Sequence, residues 1–187
     1  ERIFARSDEL TLSEDIVSLG AVRAYWALSR ATLAGRYEDD VAQEVRNALG
    51  RLPRVAEITD STMALTSARL HWALGYLYRL GGRLAEAARA YSDSLLAYRI
   101  ARGHKNERAT VLNNLAYVYA LQGRLIEAET LCHDGVELRE ELGYEYDIGL
   151  SKSTMCEIAI RQGRLEEALS HGQEARDLFQ RCEDAHG

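Results

Sequence analysis

The sequence predicts an all-α protein of antiparallel helical pairs, about eight helices in all. Three observations carry this. The 187 residues hold one proline, Pro53, in a composition rich in the helix formers Ala, Leu, Arg and Glu. A hexapeptide recurs without gaps as Gly82-Arg83-Leu84-Ala85-Glu86-Ala87, Gly123-Arg124-Leu125-Ile126-Glu127-Ala128 and Gly163-Arg164-Leu165-Glu166-Glu167-Ala168, its glycines 41 and then 40 residues apart. Each of these glycines falls between two apolar-periodic stretches of helical length, where one helix stops in the left-handed conformation and the next begins. A weaker copy, Gly35-Arg36-Tyr37-Glu38-Asp39-Asp40, lies 47 residues before Gly82. A near-constant period of this kind marks an array whose pairs stack on one another.

Taken in order, the first helix is expected near 12–34, opened by Thr11 to Glu14 in the T-x-x-E form of a capping box. A second follows near 38–51. Pro53 then marks the longest connection, Arg51 to Asp60, which accounts for the 47-residue spacing. The remaining helices are expected near 61–80, 83–101, 107–122, 125–141, 147–162 and 165–180, with Asp60-Ser61, Asn106 and Asp147 as polar starts. The chain thus divides into an N-terminal pair, residues 1–54, and three repeats within 55–187, at about 61–101, 107–141 and 147–180. Gly75, Gly135 and Gly172 fall inside helices, where each costs roughly 1 kcal/mol against alanine, so close approach of a neighbouring helix is expected there. In the last helix Leu165, Ala168, Leu169, Gly172, Ala175, Leu178 and Phe179 read as one buried stripe, leaving a polar outer side that ends the array in solvent.

Composition excludes several classes. The net charge of −6 argues against direct nucleic-acid binding. It is unevenly spread, with 6 basic and 9 acidic residues in 1–50, 8 and 4 in 51–104, and 9 and 16 in 105–187, so the middle is basic. No apolar run is long enough for a membrane span, and no signal peptide is visible. Cys132, Cys156 and Cys182 are too few and too scattered for a disulfide framework, which suggests a reducing, cytoplasmic setting. The start at Glu1 rather than Met reads as a piece of something longer.

The packing positions carry a resemblance. Leu112, Leu115, Ala116, Tyr119, Ala128 and Gly135 occupy the large and small positions of the tetratricopeptide repeat. So do Leu74, Gly75, Tyr78, Ala87, Tyr91 and Ser94 before them, and Met155, Cys156, Ala159, Ala168, Gly172 and Ala175 after. Residues 61–180 therefore resemble the tetratricopeptide repeat family in a form of roughly 40 residues. The stretch from Leu112 to Gly143 is especially similar to repeats of kinesin light chains and their bacterial relatives. That from Tyr146 to Gly163 is similar to repeats of MalT-like, ATP-dependent bacterial transcription regulators. The first copy departs from the pattern, with Asp40 for a small residue and Glu44 for an aromatic.

The resemblance implies a right-handed α-solenoid whose concave groove is lined by the first helix of each pair. Groove residues by that likeness are Arg69, Trp72, Tyr76 and Arg79; then Thr110, Asn113, Asn114 and Tyr117; then Ser153, Thr154, Glu157 and Arg161; with Tyr25 and Ser29 from the first copy. Arg69, Trp72, Tyr76 and Arg79 form one helix stripe on a different side from Leu70, Leu74, Leu77 and Tyr78. Arginine grips carboxylates in a forked geometry, aromatics give flat apolar contact, and Asn113 and Asn114 can bond a peptide backbone. The alternative is that Trp72 and Tyr76 pack on the first helical pair, as aromatic stripes commonly do.

No catalytic signature is present. There is no G-x-S-x-G elbow, and Gly81-Gly82-Arg83 lacks the lysine and hydroxyl of a phosphate loop. No C-x-x-C pair offers a metal site; Cys132 and Cys156 read as buried thiols, and His71, His104, His133 and His171 as solvated or capping groups. No cofactor is implied. The leading expectation is a non-enzymatic module that binds an acidic peptide or partner helix. The alternative is an effector-sensing or regulatory segment of a larger MalT-like regulator. A homo-oligomer stays open through Val22, Tyr25, Trp26 and Leu33 of the first helix.

Overall fold

The computed structural model describes Val22, Trp26, Ser29 and residues 39–184. Among them are α1 (Asp39–Leu49), a 3-10 turn (Val55–Glu57), α2 (Ser61–Leu80), α3 (Leu84–Ala101), α4 (Lys105–Leu121), α5 (Leu125–Glu140), α6 (Glu145–Arg161) and α7 (Leu165–Asp184). Val22, Trp26 and Ser29 are helical. The Thr11–Glu14 capping box, Tyr25, Leu33 and the glycine copy at Gly35 lie outside the described residues.

The recurring hexapeptide closes each helical hairpin. Gly82, Gly123 and Gly163 have φ of +69, +78 and +75°. Their N–H groups donate to the carbonyls of Arg79, Ala120 and Ile160 at 3.1, 3.1 and 3.0 Å. The next residue, always arginine, donates its N–H back to Tyr78, Tyr119 and Ala159 at 2.8, 2.9 and 2.9 Å, completing a Schellman turn. A Cβ at any of the three glycines would meet nothing within 4 Å, so the backbone angle, not space, selects glycine. The arginine side chain adds a bracket. The guanidinium of Arg83 stands 4.5 Å from the Tyr78 ring centroid and that of Arg124 3.6 Å from Tyr119. Their Nε atoms donate to Glu86 and Glu127 at 2.9 and 2.7 Å, which holds both carboxyls below the usual carboxylate range. In the last hairpin Ala159 replaces the tyrosine, and Arg164, while keeping Glu167 at 2.5 Å, also reaches Glu129 of the preceding pair at 2.6 Å.

The chain forms two compact units, Glu1–Gly103 and His104–Gly187. In the first, α2 packs on α1 and α3. Ser61 at the start of α2 donates to the Ala101 carbonyl at the end of α3 (2.8 Å), so the two run antiparallel. Gly75 lies against the ring of Tyr91, where a Cβ would come within 2.7 Å, the close approach expected of it. In the second unit Lys105 meets Glu141 at 2.5 Å and Glu145 meets Arg181 at 3.5 Å, joining opposite ends of α4–α5 and of α6–α7. Ala116, Ala120, Ala128, Cys132, Val136, Met155 and Ile158 form the core where α4, α5 and α6 meet. One buried cation crosses that junction: Arg139 of α5 donates to the Asp147 carbonyl and Ser151 hydroxyl of α6 and to Thr110 Oγ1 of α4, at 2.8 Å for the first and 3.1 Å for the last.

Some expectations are corrected. Asp60 does cap α2, accepting the Met63 N–H at 2.8 Å. Asn106 and Asp147 do not cap, because Gly103 and Gly143 (φ +64 and +71°) turn the chain early and α4 and α6 start at Lys105 and Glu145. Asp147 falls instead in the first turn, where its charge suits the positive helix end. Gly135 is tight, its Cβ position 3.3 Å from the Ala109 carbonyl, but Gly172 is not, with Cys156 Sγ at an ordinary 3.6 Å. Leu165 and Leu169 are 68% and 63% exposed, outside the arc that α6 covers, so the buried stripe of α7 narrows to Ala168, Ala175 and Leu178. The rest of the outer side of α7 is exposed as expected.

Candidate functional site

The stripe on α2 is intact. Arg69, Trp72, Tyr76 and Arg79 are all half-buried, while Leu70, Leu74, Leu77 and Tyr78 are buried on the other side. The guanidinium of Arg79 lies 4.9 Å from the Tyr76 ring centroid, an ordered cation on an aromatic face. Beneath it Tyr91 is fully buried, and burial pushes its phenol above the ordinary tyrosine range against the lowering pull of Arg79. Among the described residues the buried indole N–H of Trp72 has no acceptor. At the α2–α3 seam His71, read from sequence as solvated, is largely covered. Burial pushes its imidazole below the ordinary histidine range, partly offset by Asp93 at 3.9 Å.

In the second unit the expected groove residues divide. Asn114 and Tyr117 are half-buried on α4. Asn113 accepts the Cys132 thiol at 3.7 Å, so its oxygen faces the helix packing. Thr110 is taken by Arg139, and Thr154 is buried, bonding the Leu150 carbonyl at 3.3 Å. These two are packing residues, because an adjoining helix covers the side that the resemblance assigned to the groove. Glu157 pairs with Arg161 at 2.8 Å, one turn away on α6, and Ser153 is exposed.

Burial pushes the Cys132 thiol up to about 12, so it stays protonated and inert near neutral pH. Cys156 is only half-buried, less covered than expected. Among the described residues no three His, Cys, Asp or Glu side chains converge to hold a metal ion, and no helix is long and apolar enough to cross a membrane. His171, also read as solvated, is pushed below the ordinary range by burial and by Lys152, and lies 4.0 Å from Glu174. The feature that sequence reasoning missed is the arginine bracket; its signal was the tyrosine five residues before Arg83 and Arg124 and the glutamate three after each repeat arginine.

Residues 66–141 match the family model for the tetratricopeptide repeat. Among solved structures, the crystal structure of BtubC (BKLC) from P. vanneervenii is similar with a TM-score of 0.62 and 18% sequence identity, covering 92% of this chain and 75% of that one. At that identity the likeness shows the fold, an all-α solenoid of helical repeats. No curated protein sequence matches the chain.

Proposed function

We propose that this chain, whose residues 66–141 match the family model for the tetratricopeptide repeat, is a non-enzymatic interaction module that binds a peptide segment or partner helix. Repeats of this family generally mediate protein–protein contact. The contact surface proposed is the Arg69, Trp72, Tyr76 and Arg79 face of α2, with Asn113, Asn114, Tyr117 and Glu157 serving the second unit. The observation that carries the reading is the Arg79 guanidinium held over Tyr76 beside half-buried Trp72. Such a surface loses little side-chain freedom on binding and suits an acidic segment with an apolar anchor. The basic balance of residues 51–104 supports the same partner charge.

A W26F background leaves Trp72 as the sole tryptophan reporter. Titration with a Glu- and Leu-rich peptide should shift its emission, and R69A/R79A should weaken binding about tenfold and flatten its salt dependence. An R69A/R79A variant that binds as tightly as the parent chain, at low and at high salt alike, would refute the assignment.

A further inference from the structure

Helix α6 rests on α4 and α5 through a small set of residues. Arg139 and Thr110 are tied to each other and, through Arg139, to Ser151 and Asp147; Cys132 donates its thiol to the Ser151 carbonyl at 3.4 Å and touches Asn113. The repeat period between these pairs is 40 residues, from Gly123 to Gly163. Moving each seat residue on by 40 gives Leu150 for Thr110, Ser153 for Asn113, Gly172 for Cys132 and Phe179 for Arg139. All four line two adjoining open hollows on α6 and α7, of about 810 and 620 Å³, that share Phe179 and Glu183. The face that holds a helix on one pair is therefore present and uncovered on the next among the described residues.

Its chemistry has been changed, and consistently. Where the first seat has Ala109, the second has Gly149, and the Phe179 ring lies so close that a Cβ there would come 2.7 Å from Cε1. Tyr146 meets the same ring with centroids 5.3 Å apart and planes tilted by 55°. Tyr146 and Leu150 are 57% and 39% exposed. A polar, cationic seat has become an aromatic and aliphatic one. One turn beyond Phe179 stands Glu183, exposed and without an ion pair among the described residues.

We propose that this face of α6 and α7 seats an amphipathic helix of a partner protein, as α4 and α5 seat α6, with a large aliphatic side chain on Phe179 where Ser151 sits on Arg139, and with its N-terminal turn, carrying Lys or Arg, beside Glu183. The aliphatic residue follows from the exchange of Arg139 for Phe179 at equivalent places. The end of the helix follows from register: Arg139 holds the first turns of α6, so the region around Phe179 and Glu183 receives the first turns of the guest. There the positive end of the helix and a basic side chain both suit a carboxylate. This site is separate from the α2 face proposed above, and E183K should leave binding at that face unchanged.

The probe is a fluorescein-labelled peptide of the α6 sequence, 17 residues, carrying S151L and an added N-terminal lysine. Two readouts are followed on the whole chain: anisotropy, and iodoacetamide alkylation of Cys182, with buried Cys132 as the unreactive reference. The S151L peptide should bind and slow alkylation of Cys182 several-fold, and the unaltered α6 peptide should bind about tenfold more weakly. L150T/F179R, which rebuilds the Thr110/Arg139 seat, should reverse that preference. E183K, an exposed change that leaves the fold alone, should weaken the lysine-bearing peptide several-fold. Equal binding of both peptides, or binding that survives L150T/F179R with Cys182 unprotected, would overturn the proposal. So would self-association of the chain that L150T/F179R abolishes, which would put a second copy on the face. Cys182 protected in the whole chain before any peptide is added would assign the face to the chain's own residues and equally overturn it.

Discussion

Replacing Gly75 with alanine is expected to destabilise the protein, although the position is mid-helix and alanine is the better helix former. The helical preference alone would favour alanine by about 1 kcal/mol. Against it, the new Cβ would stand 2.7 Å from both Cδ1 and Cε1 of Tyr91. Carbon atoms rest at roughly 3.5–4.0 Å, so the ring must retreat by about 1 Å. Tyr91 is fully buried between α2 and α3, and a retreat pushes it into atoms already in contact. Overpacking of this sort costs about 1–3 kcal/mol, and the helical preference offsets about 1 of it, leaving a net loss of up to about 2 kcal/mol. Gly172→Ala is the control with the opposite sign. Its nearest foreign atom is Cys156 Sγ at 3.6 Å, ordinary contact, so about 0.5–1 kcal/mol of the helical preference should survive as stabilisation. At roughly 2–4 °C per kcal/mol for a chain of this size, Tm should fall for the first variant and rise for the second. Scanning calorimetry is the assay, since it distinguishes units that melt apart. A G75A protein that melts at or above the parent temperature would show that Tyr91 is free to move, and would sink the close-approach argument.

Two further outcomes are expected. Arg102 has φ 56° and ψ 163°, a region that glycine occupies almost alone, so R102G should stabilise by about 1 kcal/mol over R102A, which keeps the strain while removing the same side chain; equal urea midpoints for the two variants would contradict this. His71 titrates below its ordinary 6.5 because burial outweighs the attraction of Asp93. The unfolded chain therefore takes up this proton first as pH falls, so the His71 contribution is complete above pH about 6.5 and is lost progressively below it. H71Q should reduce the slope of unfolding free energy between about pH 7 and 5, and an unchanged slope in urea titrations would count against the burial argument.

What was legible in the sequence was what short-range chemistry decides. Gly82, Gly123 and Gly163 end helices by their own backbone angles, and Asp60 caps α2 through a residue three positions on, so both could be read from spacing. The half-buried side of α2 was legible too, because the periodicity of Leu70, Leu74 and Leu77 places the core opposite. The side chains that went astray depend on partners far along the chain. Thr110 is claimed by an arginine 29 residues away, and nothing in the local pattern marks Arg139 as a buried cation serving three helices. Leu165 and Leu169 fit a helical stripe by count, yet a stripe is only as wide as the neighbour that covers it, and α6 is narrower than the pattern assumed. Asn106 and Asp147 lost their capping role to the glycines before them, which set the helix start by turning first.

The arginine bracket bears on how such a chain grows or shrinks over evolutionary time. In the hairpins turning at Gly82 and Gly123, every group that closes the turn lies within a span from the tyrosine to the glutamate, Tyr78 to Glu86 and Tyr119 to Glu127. A segment that carries its own closure can be duplicated, deleted or moved whole, and its turn forms as well in the new place as in the old. The last hairpin keeps its local acid, Arg164 to Glu167 at 2.5 Å, but with Ala159 in place of tyrosine the guanidinium also reaches Glu129 of the pair before at 2.6 Å. A duplicated α6–α7 would carry its own arginine–glutamate closure with it and lose only that added tie, which copying α4 through α7 together would keep.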